Sequence, residues 1–150
     1  MVSASNSRPT LRPACMADAA EVTRLCVELG YPASVEDMTA RLGVVLSAGD
    51  RQVFVVEDGT KLLGWIGVEL RTSLETGRKA EIVGLVVDAH ARRSGTGRRL
   101  VSAAEDWVRQ HGLDAVMVRS NTVRLESHPF YEGIGFTRRK SQHVYFKLLE

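Results

Sequence analysis

The stretch Arg92-Arg93-Ser94-Gly95-Thr96-Gly97 constrains this chain most, because it joins an apolar run, Ile82 to Val87, to an amphipathic helical pattern beginning near Arg98. A tight turn entering a helix leaves several backbone N–H groups without intrahelical acceptors, at the end where the helix dipole favours negative charge. Gly95 and Gly97 permit positive φ and close approach of a ligand, while Arg92, Arg93, Arg98 and Arg99 add charge beside those amides. The junction suits a phosphate group. Two familiar phosphate motifs nevertheless fail: Arg98-Arg99-Leu100 leaves no third glycine for G-x-G-x-x-G, and no G-K-[ST] follows.

At 150 residues, 44% of them hydrophobic and 25% charged, the chain has the size and make-up of one ordinary domain spanning 1–150, with residues 1–8 a flexible tail. A net charge of +2 is too mild to argue for a nucleic-acid or membrane partner. The arginine pairs at 92/93, 98/99 and 138/139 suit a compact polyanion better than a long one. No apolar stretch has transmembrane length and the polar start lacks a signal-peptide core, so a cytoplasmic location is expected. Cys15 and Cys26 have neither metal-ligand nor C-x-x-C spacing, and Cys26 reads as a buried thiol on the first helix's apolar stripe. No metal is expected.

Periodicity predicts a short strand near Thr10 to Arg12, then a helix capped by Asp18 with Val22, Leu25, Cys26 and Leu29 inward and Gly30 as its stop. Ser34 with Asp37 opens a second helix that buries Met38, Leu42, Val45 and Leu46. Strand-like runs Gln52 to Glu57 and Leu62 to Arg71 flank an Asp58-Gly59 turn, and Thr72 to Lys79 reads as an exposed loop. Gly84 interrupts the strand Glu81 to Val87, which predicts a bulge or a close ligand. A helix from Gly97 to His111, a strand at Val116 to Val118, a short helix at Ser127 to Glu132 and one or two terminal strands over Thr137 to Leu149 complete the order. The class is mixed α/β with a mostly antiparallel sheet, which disfavours an all-parallel nucleotide-binding architecture.

The R-x-x-G-x-G pattern of Arg92, Gly95 and Gly97 after a strand resembles the pyrophosphate loop of the GNAT superfamily of acetyl-CoA-dependent N-acetyltransferases. Phe130-Tyr131-Glu132-Gly133-Ile134-Gly135-Phe136 resembles that family's F-Y-x-x-x-G-F segment, and Asn121 follows the fifth strand. The resemblance runs from Leu11-Arg12-Pro13 and Asp18 to the final strands and implies β-α-α-β-β-β-α-β-α-β(-β) with strands four and five splayed. The chain departs from the family at Ala89, where proline is common, at Arg93, where glycine is common, and at Thr96, where an apolar residue is usual.

The resemblance implies that acetyl-CoA is held by the loop from Arg93 to Arg98 (Arg93, Ser94, Gly95, Thr96, Gly97, Arg98) together with Arg92. Its pantetheine arm would pair with Leu85, Val86 and Val87 and bond to Asn121. A backbone N–H of Val86 or Val87 would stabilise the oxyanion, and Tyr131 would protonate the leaving thiolate. Glu81 is the candidate general base, directly or through water, with Glu69, Glu75 and bulk water as alternatives; His128-Pro129 reads as a helix-start feature. The acceptor site is expected from Leu29 to Ser34, the Arg71 to Lys79 loop and the fifth strand, with Tyr31, Glu69 and Glu75 as contacts. Tyr31-Pro32 reads equally as a packed turn.

The expected function is transfer of acetyl from acetyl-CoA to a small-molecule primary amine, with a protein or peptide acceptor as the runner-up. The pattern is similar to bacterial members that include aminoglycoside-modifying enzymes, although a polycationic acceptor would favour a more acidic chain. A non-catalytic acyl-CoA-binding module would not need both Tyr131 and Asn121. Nucleic-acid binding through the arginine pairs lacks interleaved aromatics. A homodimer is implied by the resemblance alone, through the terminal strands.

Overall fold

Antiparallel pairing organises the first half of the chain, as the Asp58-Gly59 turn leads one to expect. The computed structural model describes residues 8–120 and 127–150. Its elements are β1 (Thr10–Pro13), α1 (Ala19–Glu28), α2 (Val35–Leu46), β2 (Arg51–Asp58), β3 (Lys61–Ser73), β4 (Gly77–Val87), α3 (Thr96–Gln110), β5 (Met117–Val118) and α4 (Ser127–Gly133). The five strands form one sheet in sequence order, antiparallel except for the parallel β4–β5 pair. The mixed α/β class is therefore observed. The chain divides into two units, 1–118 and 119–150, and each is described by itself.

Strand alternation gives the sheet two apolar faces. On one, Val53, Val55, Leu62 and Val86 join Val22, Leu25 and Cys26 of α1 and Leu42 of α2 in a single core, with Trp65 packed against it. Burial raises the pKa of the Cys26 thiol, as its place on the apolar stripe anticipates. The other face meets α3, whose Leu100, Val101 and Ala104 are fully enclosed. Among the described residues no helix is long and apolar enough to cross a membrane.

Three expectations change. Asp18 does not cap α1 with its side chain; a 3-10 turn at Met16–Asp18 precedes the helix. The carboxylate instead accepts from the Cys15 N–H and from both terminal nitrogens of Arg12, each at 2.8 Å, because a forked guanidinium satisfies a buried carboxylate better than one amide does. Residues 72–79 are not a loop but the end of a long hairpin, with Thr72 opposite Arg78 and Ser73 opposite Gly77. Backbone pairing continues there without an apolar face, so hydrophobic alternation carries no sign of it. Finally, residues 137–150 form no strand, and Val144, Tyr145, Phe146, Leu148 and Leu149 are exposed. Their apolar character reads as strand, but a strand exists only beside a hydrogen-bonded neighbour.

The bulge expected at Gly84 is present. Gly67 faces Gly84 while Val68 faces Ile82, so Val83 is the extra residue on β4. The Trp65 ring covers both glycines: a Cβ on Gly84 would lie 2.6 and 2.8 Å from ring carbons, and one on Gly67 3.6 Å from the same ring. Gly84→Ala is therefore expected to drive the indole off its seat, at a cost of about 1–3 kcal/mol. Thermal melts should register the loss, and tryptophan emission should shift to the red as the ring gains water.

Candidate active site

The loop between β4 and α3 takes its shape from three local features. Asp88 ends β4 and accepts the His90 N–H at 2.8 Å, opening a 3-10 turn over Ala89–Ala91 that the sequence did not disclose. Arg93 then adopts φ 66°, making it the one non-glycine residue with positive φ among the described residues, and Gly95 follows at φ 86°. Two left-handed residues in close succession reverse the chain into α3. The first bond into the helix from its N-terminal boundary runs from Arg99 N–H to Gly95 C=O at 3.0 Å, so the amides of Thr96, Gly97 and Arg98 begin α3 without an upstream helical acceptor. Ser94 is exposed and bonds back onto the turn, its N–H donating to Ala91 C=O at 3.3 Å and its hydroxyl reaching the same carbonyl. That hydroxyl also lies 2.8 Å from Thr96 Oγ1, which explains how a buried threonine is tolerated at an apolar position.

α3 can start this close to the sheet because Gly64 carries no side chain. A Cβ there would meet Val86 O at 2.8 Å, Leu100 Cδ1 at 3.1 Å and Thr96 Cγ2 at 3.4 Å.

On the far edge of β4 the parallel ladder with β5 consists of Glu81 opposite Met117 and Ile82 opposite Val118. Among the described residues β5 pairs with β4 at these two positions, and its ladder does not extend along Val83 to Val87. Beside the end of β4 lies a cavity of about 170 Å³, lined by Leu25, Glu28 and Leu29 of the α1 end and by Val86, Val87, Asp88, Ala89 and Arg92. Helix-opening amides that have no partner among the described residues, arginines at 92, 93 and 98, and a strand that runs on past the β5 ladder fit a diphosphate followed by an amide-bearing arm.

The structure brings Val86, Val87 and Arg92 to one cavity, but not every predicted residue joins them. Glu81 is buried and lies directly opposite Glu69, with Arg71 bridging the two carboxylates at 3.3 and 2.6 Å. Neither carboxylate lines the cavity. Tyr31 is exposed just after α1, and Glu75 is exposed at the tip of the β3–β4 hairpin. Asn121 lies outside the described residues. In the second unit, Tyr131 sits on α4 between Phe130 and Phe136, edge to face at 5.2 and 5.6 Å. Its carbonyl accepts from Ile134 and Phe136, and Gly135 at φ 100° closes the helix end.

Arg24 forms a polar hub bonded to two residues of the cavity lining, Glu28 and Asp88. It donates to Glu21 at 2.9 and 3.0 Å, to Asp88 Oδ2 at 2.9 Å and to the Leu62 carbonyl at 2.9 Å, and it also pairs with Glu28. The carboxyl of Asp18 is held below the usual range by Arg12, that of Glu21 by Arg24, and that of Asp88 by the His90 N–H and then Arg24, in each case against burial. Since all three bind protons more weakly folded than unfolded, their stabilisation is complete above the unfolded values and disappears as pH falls through the folded ones. Melting temperature should therefore hold steady between about pH 7 and 5 and fall steeply below about pH 4. Asp18→Asn should flatten that acid limb.

The family model described as "Acetyltransferase (GNAT) family" matches residues 19–136. This chain belongs to the GNAT family of acetyltransferases. The GNAT chain is 30% identical over 119 residues to the uncharacterized N-acetyltransferase YhdJ of Bacillus subtilis (strain 168), covering 79% of this chain and 84% of that one. It is 29% identical over 148 residues to the aminoglycoside N(6')-acetyltransferase type 1 of Stenotrophomonas maltophilia, covering 95% and 94%. Among solved structures, aminoglycoside N-acetyltransferase AAC(6')-Iy in complex with CoA superposes with a TM-score of 0.87 at 16% identity, covering 97% of this chain and 99% of that one.

The sequence of this GNAT enzyme does not single out Leu25, Glu28 and Asp88 as cavity residues, nor Arg24, which bonds to the last two. Leu25 reads as a core position of α1, and Glu28 carries no signal beyond its place in the last turn of that helix. Asp88 had one sign, a lone carboxylate ending an apolar strand. Among the described residues no group of three His, Cys, Asp or Glu is placed to hold a metal ion.

Proposed function

We propose that this GNAT enzyme transfers the acetyl group of acetyl-CoA to a primary amine of a small molecule, by direct attack in a ternary complex. The observation that carries the reading is that α3 amides without a partner among the described residues lie at the end of β4, beyond its short ladder with β5. In the proposal the N–H groups of Thr96, Gly97 and Arg98, with Arg92 and Arg93, hold the diphosphate. Leu85 to Val87 bond the pantetheine arm, joined by Asn121. Acetyl-CoA supplies the thioester carbonyl that the amine attacks.

An N–H of Val86 or Val87 receives the developing oxyanion. Glu81 takes the ammonium proton through water, because its carboxylate lies outside the cavity lining. The C–N bond forms, the C–S bond breaks, and Tyr131 gives a proton to the departing thiolate. Tyr31, Glu69 and Glu75 contact the acceptor. The relative named for aminoglycoside acetylation supports an aminoglycoside as one acceptor within this class. The enzyme is cytoplasmic in this reading and a homodimer, for which the exposed apolar residues from Val144 to Leu149 offer a contact surface.

The test is CoA calorimetry followed by thiol release from acetyl-CoA with kanamycin, glucosamine, putrescine and a short peptide. Turnover with one of the small amines is expected. Turnover with the peptide alone would transfer the assignment to a protein acceptor, and absence of CoA binding would overturn the reading. A monomeric mass by light scattering would remove the dimer.

A further inference from the structure

Asp88 takes part in none of the proposed chemical steps, yet its side chain is only 1% exposed and every one of its oxygens is engaged. Burying a carboxylate this deeply is unfavourable unless its partners are held in place. Those partners lie on two sides. Oδ2 accepts from Arg24 of α1 at 2.9 Å, with Lys61 Nζ 3.7 Å away, and Oδ1 accepts from His90 N–H.

Arg24 is itself fixed. Glu21 accepts both from its guanidinium and from the Leu62 N–H at 2.9 Å, while Arg24 donates to the Leu62 carbonyl. The Leu62 peptide is thus bracketed from α1 as though by another strand. From Asp88 a continuous series of bonds runs into the loop. Ala91 N–H donates to Asp88 C=O at 2.9 Å, Ser94 N–H donates to Ala91 C=O, and the Ser94 hydroxyl meets Thr96 at the first position of α3. The two left-handed residues, Arg93 and Gly95, fall inside this series.

We propose that Arg24 and Asp88 are positioning residues for the coenzyme: their ion pair sets the turn that aims the residue 96–98 amides, so that grip on the diphosphate is governed from α1. The inference rests on the function proposed above. It differs from a purely structural role in a way the chain itself allows to be measured. Arg12 and Asp18 form a second fork, with Asp18 buried at 7% side-chain exposure and Glu57 as a further partner at 2.8 Å, and its bonds tie β1 to the start of α1 rather than to the loop.

The experiment compares CoA binding by calorimetry in the wild type, Asp88→Asn, Arg24→Lys and Asp18→Asn, each below its melting temperature. Asparagine at 88 keeps an oxygen for His90 N–H and removes the charge facing Arg24. The Kd for CoA should rise about tenfold in Asp88→Asn and by an intermediate factor in Arg24→Lys, while Asp18→Asn loses thermal stability but stays within about twofold of wild type. The KM for acetyl-CoA should follow the Kd, and the acceptor KM should not. Wild-type affinity in Asp88→Asn, or equal weakening in Asp18→Asn, would overturn the inference alone. If the wild type binds no CoA, the function proposed above fails first. Should Asp88→Asn not fold, Arg24→Lys carries the same comparison, and wild-type affinity there would overturn the inference.

Discussion

Tyr131→Phe is expected to lower kcat about a hundredfold while leaving the CoA Kd within about twofold. An alkyl thiolate leaves poorly from a tetrahedral intermediate unless a proton reaches it, and a phenol can supply that proton at neutral pH because it is still protonated there. Phenylalanine keeps the ring that packs against Phe130 and Phe136, so the change removes the hydroxyl and its bonds with little effect on local packing. Thiol-release kinetics across pH, with CoA calorimetry in parallel, provide the check. Wild-type kcat in the variant would assign the proton to water or another donor. A matched loss of CoA affinity would make Tyr131 a binding residue instead.

The second large effect is expected at Gly64. Gly64→Ala should destabilise the fold by about 1–3 kcal/mol and weaken CoA binding together. The nearest atom to the added methyl is a main-chain oxygen, Val86 O at 2.8 Å, which cannot swing aside as a side-chain tip can. The next two, on Leu100 and Thr96, belong to the first turns of α3. Relief therefore requires β4 or the helix start to move, and these are the elements that present the loop. Gly49→Ala, with no heavy atom within 4 Å of the new methyl, is the matched control and should leave CoA binding unchanged. Thermal melts and calorimetry on both variants decide the point; unaltered CoA affinity in Gly64→Ala would separate α3 seating from ligand grip.

What could be read from the chain followed from local physics. The stripes of α1, α2 and α3, the Ser34 cap that accepts the Asp37 N–H, and the bulge beside Gly84 each express a rule acting over a few residues. Interactions distant in sequence left no such trace. Arg24 and Asp88 are 64 positions apart, and nothing near either announces the other. The hairpin over residues 72–79 was illegible because main-chain pairing in water needs no apolar period. The terminal run misled in the opposite sense, since Val144, Phe146 and Leu148 alternate as a strand does without making one. Of the candidate site, the glycines and arginines of the loop are legible as a pattern in the chain, whereas Leu25 and Glu28 of the cavity wall are not.

Arg93 has a practical consequence for anyone engineering this enzyme. Held at φ 66°, an arginine is less comfortable than glycine by roughly 1 kcal/mol, so Arg93→Gly relaxes the backbone while discarding a cation that the proposed function sets beside the diphosphate. A campaign that ranks variants by heat resistance would enrich that replacement. Under the proposed function, a ranking by hold on coenzyme would reverse that order.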